Sequence, residues 1–100
     1  MSSQDITIEH RDNSGGGEYR ARTAEGEHAG ELTWHPGGDN VRVADHTGVP
    51  PSMRGRGIAE KLVLALIEDA REQGFTVRPA CSYVAAQFKR HPEWSELKAG

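Results

Sequence analysis

Pro50-Pro51-Ser52-Met53-Arg54-Gly55-Arg56-Gly57-Ile58-Ala59 is the stretch that decides how this chain reads. Upstream of it, Val41-Arg42-Val43 alternates and continues toward Val49, the pattern of a long strand. The paired prolines cannot donate to a sheet ladder, so the strand ends there. Downstream, from Gly57 to Gly74, the period becomes helical. Ile58, Leu62, Leu66 and Ala70 recur at i, i+4, i+8 and i+12, and Ala59, Val63 and Ile67 widen that face. Glu60, Lys61, Glu68, Arg71 and Glu72 take the opposite side, and Gly74 supplies the stop. A strand therefore enters a loop of two glycines and two arginines, and the loop enters a long helix. The first turn of such a helix leaves unpaired N–H groups and a positive dipole end. Glycines let those N–H groups converge on an anion, and arginines add bidentate donors. The pattern suits phosphate; the plainer alternative is a helix entry whose glycines serve only the turn.

Working outward, Ile6-Thr7-Ile8 reads as a short strand, Ser14-Gly15-Gly16-Gly17 as a loop, and Tyr19–Thr23 and Gly30–Trp34 as two further strands joined through Glu25-Gly26. His35-Pro36-Gly37-Gly38-Asp39 is a turn before the fourth strand. Connections this short make the first half an antiparallel meander. After the helix, Phe75–Pro79 reads as a strand, and Ser82 is expected to cap a last helix, Tyr83–His91, ended by Pro92. The expected architecture is α+β, in the order β-β-β-β-α-β-α, with a mixed, mostly antiparallel sheet. The helix between the last two strands implies a right-handed crossover and a parallel pair.

With 100 residues the chain is expected to form a single domain spanning 1–100, its ordered core about 5–97. Leu, Ile, Val and Phe number only 17, a composition that would suggest disorder in a highly charged chain, but the net charge is −3. Fifteen acids against twelve bases argue against a general nucleic-acid binder. The longest apolar run, Leu62–Ile67, is far short of the ~20 residues that span a bilayer. Met1 is followed by Ser-Ser-Gln-Asp, with no signal-peptide pattern, and the lone Cys81 has no disulfide partner. A cytoplasmic location without membrane or nucleic-acid partners is expected. One cysteine and scattered histidines (10, 28, 35 and 91) offer no metal-ligand spacing.

The phosphate ligand can be narrowed. The P-loop pattern is absent, and the dinucleotide fingerprint fails because Glu60 stands where its last glycine belongs. Arg54-Gly55-Arg56-Gly57-Ile58-Ala59 does match R-x-x-G-x-A, and here the chain resembles the acetyl-CoA-binding motif of the GNAT superfamily of acetyltransferases. Together with His46-Thr47-Gly48-Val49-Pro50-Pro51, Pro79-Ala80-Cys81, Tyr83-Val84-Ala85-Ala86 and Arg90-His91-Pro92-Glu93, it looks like the compact, roughly hundred-residue GNAT-like branch, over about Ile6 to Leu97. The resemblance implies a fourth and fifth strand that splay apart around the pantetheine arm of CoA. It also implies loss of the N-terminal helical region that covers the acceptor in ordinary GNAT enzymes. The sequence agrees, since nothing helical is readable before Arg54.

Acetyl-CoA is thus the expected cosubstrate, held by Val49, Arg54, Gly55, Arg56, Gly57, Ile58 and Ala59, with backbone N–H groups near Gly48–Val49 polarising the thioester carbonyl. Cys81 and His46 are the candidate catalytic residues. A thiol near a helix N-terminus has its thiolate favoured, although a lone cysteine is more often an inert core residue. His46, on the strand expected to flank the thioester, could take a proton from an attacking ammonium or from Cys81, or be a plain surface histidine. Phe88 stands where the resemblance puts a proton-donating tyrosine, and Tyr83 falls on a different face of that helix. Lys89 and Arg90 are placed either to reach CoA phosphates or simply to be solvated at the dipole-favoured end of the last helix, and Trp34 and Trp94 read as packing. The expected activity is acetyl transfer to an unidentified amine, a protein amine included. The alternatives are a CoA or acyl-CoA-binding module with little catalysis and, more remotely, a phosphate-recognising interaction domain.

Overall fold

The computed structural model describes residues 6–13 and 15–99, so the expected core start at residue 5, and Ser14 of the expected loop, lie outside the described residues. The elements run β1 (Thr7–Asn13), β2 (Gly16–Arg22), β3 (His28–Pro36), β4 (Val41–Gly48), a 3-10 turn (Pro51–Met53), α1 (Ile58–Gln73), β5 (Thr76–Pro79), α2 (Ser82–Arg90) and a second 3-10 stretch (Pro92–Leu97). The sheet is ordered β1-β2-β3-β4-β5; its first three pairings are antiparallel and β4–β5 is parallel. The expected order of strands and helices is the observed one.

Two local expectations are corrected. Gly16 and Gly17 are not loop but the start of β2, paired with Asn13 and Asp12. A Cβ on Gly17 would lie 2.7 Å from both the Arg11 carbonyl oxygen and the Trp34 ring, so glycine is required by close approach rather than by a turn. Ser82 does not cap α2: Cys81 occupies the N-cap, and no side chain caps the helix.

α1 is bounded at both ends by glycines in the left-handed region, Gly57 (φ 72°) and Gly74 (φ 81°). It buries Ile58, Leu62, Val63, Leu66, Ile67 and Ala70 in one core with Tyr19, Ala21, Leu32, Val77, Val84 and Trp94. Each fully buried aliphatic side chain there contributes ~1.5–3 kcal/mol. Ile58 and Leu62 come within van der Waals reach of Gly30, which identifies the α1 side of the sheet. Side chains alternate along a strand, so Glu31 points to the other side. That side holds charged pairs, Arg20 with Glu18 at 2.9 Å and Arg22 with Glu9 at 3.3 Å, and no helix precedes Pro51 among the described residues.

The site is created where β4 and β5 part. They pair from Val41↔Thr76 to Ala44↔Pro79, and Ala80 N–H donates to the Ala44 carbonyl at 3.0 Å. Pro79 has no N–H with which to extend the ladder. A bulge opposite Thr33/Trp34 bends β4 at the same point. β4 then continues to Gly48 on β3 alone, while the chain after β5 turns into α2.

Candidate functional site

At the parting of the strands lies a cleft of about 250 Å³, lined by Val49, Met53, Arg54, Gly55, Gly57, Ile58, Ala59 and Glu60 on one side and by Tyr83, Gln87 and Arg90 of α2 on the other. Six of the seven residues expected to hold the cosubstrate are here; Arg56 is exposed and outside the lining. Gly55 (φ 86°) and Gly57 (φ 72°) both have left-handed backbone, and nothing stands within 4 Å of where their Cβ atoms would be. The loop is an open cradle ahead of the α1 N-terminus, the arrangement that receives phosphate oxygens. Arg54 Nε donates to the Val49 carbonyl at 3.3 Å, which tethers the cradle to the end of β4. Arg90 faces the cleft, whereas Lys89 lies in a separate cavity with Phe88 and Ser95.

Tyr83 and Gln87, one helical turn apart, share the cleft face of α2, and Gln87 Nε2 donates to Tyr83 Oη at 3.2 Å. Burial, with the nearby Glu60 carboxylate, raises the phenol pKa, so the Tyr83 hydroxyl stays protonated and can donate into the cleft. Phe88 points elsewhere, edge-on to Trp94 at 5.7 Å in the core. Trp34 and Trp94 are both packing residues, as expected.

Cys81 sits across the gap from β4, its S–H donating to Thr47 Oγ1 at 3.6 Å. Burial pushes the thiol pKa up, but hydrogen bonds from the Val84 N–H, the Thr47 hydroxyl and the Tyr83 N–H outweigh it, and the net shift is downward. The unpaired N–H groups at the start of α2 thus favour the thiolate.

His46 corrects an expectation. Thr47 points toward Cys81, so His46, its neighbour in the strand, points to the opposite face and is not in a position to serve the thiol. Instead His46 Nε2 lies 3.0 Å from one oxygen of Glu31, and His28 Nε2 lies 2.9 Å from the other. Glu31 thus bridges the two imidazoles, each through its Nε2. A Cβ on Gly48 would lie 2.7 Å from Glu31 Oε2 and 2.9 Å from His46 Nε2, so the pair rests directly over that glycine. His28 is therefore not merely one of several scattered histidines. The sequence hid this cluster because it depends on the β3–β4 register. The Tyr83, Gln87, Arg90 spacing of i, i+4, i+7 was readable and would have placed the α2 side of the cleft.

A larger cavity of about 370 Å³ lies between β1, β2 and α1, lined by Ile8, His10, Tyr19, Leu64 and Asp69 among others. It shares no lining residue with the cleft. Among the described residues no group of three or more His, Cys, Asp or Glu side chains is arranged to hold a metal ion, and no helix is long and apolar enough to cross a membrane.

Residues 18–97 match the sequence profile of the GCN5-related N-acetyltransferases. A GCN5-like protein from Staphylococcus aureus, solved by NMR, is 25% identical, with 100% of this chain and 92% of that one covered at a TM-score of 0.73. A GNAT family acetyltransferase from Elizabethkingia anophelis, whose crystal structure holds acetyl-CoA, is 13% identical over 89% of this chain and 76% of that one, TM-score 0.71. An IAA acetyltransferase from Bacillus cereus is 15% identical over 85% and 74%, TM-score 0.67. The last two share the fold.

Proposed function

Because this chain belongs to the GCN5-related N-acetyltransferase family, whose members use acetyl-CoA as cosubstrate, we propose that it acts as a single acetyl-CoA-binding domain that transfers the acetyl group to an amine. The observation that carries the reading is the cleft: a glycine–arginine cradle at a helix N-terminus, opening where β4 leaves β5. The cradle fits the pyrophosphate, with Arg54 and Arg90 as its cations and the N–H groups after Gly55 as its donors. Bound acetyl-CoA supplies an activated thioester; the chain supplies position and proton handling.

In this reading Cys81, its thiolate favoured by the α2 N-terminus, takes up the acetyl group as the carbon–sulfur bond to CoA breaks. Exchange of one thioester for another is close to isoenergetic. An amine then attacks the carbonyl, and the Cys81 thiolate leaves and takes up the proton lost by the amine, while His46, held by Glu31 on the opposite face of β4, takes no part in that step. No helix precedes Pro51 among the described residues to cover the sheet, which suits an acceptor as large as a protein amine. The lone cysteine suits a reducing, cytoplasmic setting.

One arrangement favours a second reading, an acyl-CoA-binding module with little catalysis: His46 and Cys81 lie on opposite faces of β4, and Phe88 offers no hydroxyl. Radiolabelled acetyl-CoA incubated with peptide and small amines separates the two. Transfer, and a ~100-fold loss of kcat in Cys81→Ala with KM for acetyl-CoA unchanged, is the expected result. Tight binding with neither transfer nor loss of label selects the module.

A further inference from the structure

Gln87 is only 4% exposed, the one buried polar or charged residue among those described. Its Nε2 has the Tyr83 hydroxyl, but its Oε1 is shut off from solvent and has no hydrogen-bond partner. Turning the amide over does not help, because Tyr83 Oη is its sole side-chain partner among the described residues, and one end stays unmatched either way. Buried carbonyls without a partner are rare in folded chains, and each one asks what is meant to meet it.

The position answers part of that. Gln87 lines the cleft beside Val49 and Tyr83, across from the Arg54–Gly57 cradle. An anion has no use for a carbonyl oxygen. A neutral N–H donor does. CoA offers neutral N–H donors in the adenine amino group, beside the phosphates, and in the two amides of the pantetheine arm; adenosine 3′,5′-bisphosphate keeps the first and lacks the others, so it tells them apart. We propose that Gln87 is a specificity-determining residue for that arm, its Oε1 accepting one pantetheine amide N–H as the amide turns toward the cleft. The terminal torsion of glutamine is broad, so a modest rotation turns the oxygen to the cleft without leaving the rotamer. The inference deepens the acetyl-CoA reading and rests on it. It adds that the cleft recognises the arm by a side chain of α2, and so separates CoA from ligands that offer only its phosphates.

The test is calorimetric titration of the whole chain with CoA and, separately, with adenosine 3′,5′-bisphosphate, which lacks the arm. Gln87→Met keeps the shape and removes the acceptor; Gln87→Leu is the second variant, should methionine misfold. CoA affinity is expected to fall by ~3–10-fold, the worth of one neutral hydrogen bond. Bisphosphate affinity should stay within about two-fold, and the thermal midpoint without ligand should hold or rise, because an unpaired carbonyl has gone. Opposite signs in binding and stability are what a purely structural glutamine would not give. Unchanged CoA affinity overturns the proposal and leaves Oε1 to a trapped water. Equal losses for both ligands with a lowered midpoint overturn it too, making Gln87 a packing residue. A wild-type chain that binds neither ligand overturns the acetyl-CoA reading itself, and this inference with it.

Discussion

Two of the molecule's cavities invite comparison, and the larger of them is the less telling. Around the 370 Å³ cavity the buried polar atoms satisfy one another. Tyr19 Oη donates to Asp69 at 2.7 Å and accepts from Arg42 at 3.1 Å; the Arg42 guanidinium lies 4.0 Å from both the Trp34 and Phe75 ring centres; His10 stacks on Tyr19 at 4.3 Å. Nothing there asks for a ligand. Around the 250 Å³ cleft the polar inventory does not close: two left-handed glycines face empty space and Gln87 Oε1 has no partner. Volume does not separate a binding site from a packing defect here. Unmet hydrogen-bonding capacity does.

The comparison breaks hardest at the cradle. Arg54→Glu with Gly57→Asp inverts one charge and adds another where phosphate should sit, and CoA affinity measured by calorimetry should fall by at least ~100-fold, given ~1.5–3 kcal/mol per hydrogen bond to a charged group. Asp tolerates left-handed backbone better than most residues, so the thermal midpoint should drop only modestly. If the folded variant keeps wild-type affinity, the cleft is not the binding site. The opposite dissociation is expected at the other cavity. Asp69→Ala removes the acceptor of the Tyr19 hydroxyl proton, leaving only the Arg42 bond, and should cost ~1–3 kcal/mol in chemical denaturation while CoA affinity stays within two-fold. Burial, and then the Asp69 bond, raises the Tyr19 pKa. A raised pKa means stability that is present below the unfolded value of ~10 and lost as pH rises above it. Alkaline unfolding should therefore be milder in Tyr19→Phe than in wild type.

That the cradle was legible and the rest of the site only partly so has a physical reason. Arg54 to Ala59 are contiguous, and the periods on either side, two before Pro50 and 3.6 after Gly57, mark strand and helix without tertiary information. The caps Gly57 and Gly74 were equally readable. Gly16 and Gly17 misled because glycine usually signals a turn, and only the approach of β3 explains them: the Trp34 carbonyl oxygen crowds Gly16 and the Trp34 ring lies against Gly17. The Glu31 cluster needs the register of β3 on β4, including its bulge, which no local pattern encodes. Gln87 is buried on the same short helix as Val84 and Phe88, and nothing in the local pattern marks a glutamine there as buried rather than exposed.

Cys81 tests the boundary between the two kinds of region, since its hydrogen bonds are made yet stabilise a charge rather than the fold. Burial opposes the thiolate, and the Val84 N–H, the Thr47 hydroxyl and the Tyr83 N–H favour it more strongly. Alkylation by iodoacetamide, followed against pH, should therefore show a midpoint below the ~8.5 of a free thiol, and Thr47→Val should move it back upward. The effect on rate at neutral pH is a few-fold, since a thiolate of lower pKa is also a weaker nucleophile. Incubation with acetyl-CoA alone should give an acetyl adduct by intact-protein mass spectrometry that Cys81→Ala removes, and its formation should level off at that same lowered midpoint. An alkylation midpoint at or above that of a free thiol would mean the α2 N–H groups do not reach the sulfur. No adduct, together with full transfer activity in Cys81→Ala, would return Cys81 to the core and leave the amine attacking the CoA thioester directly.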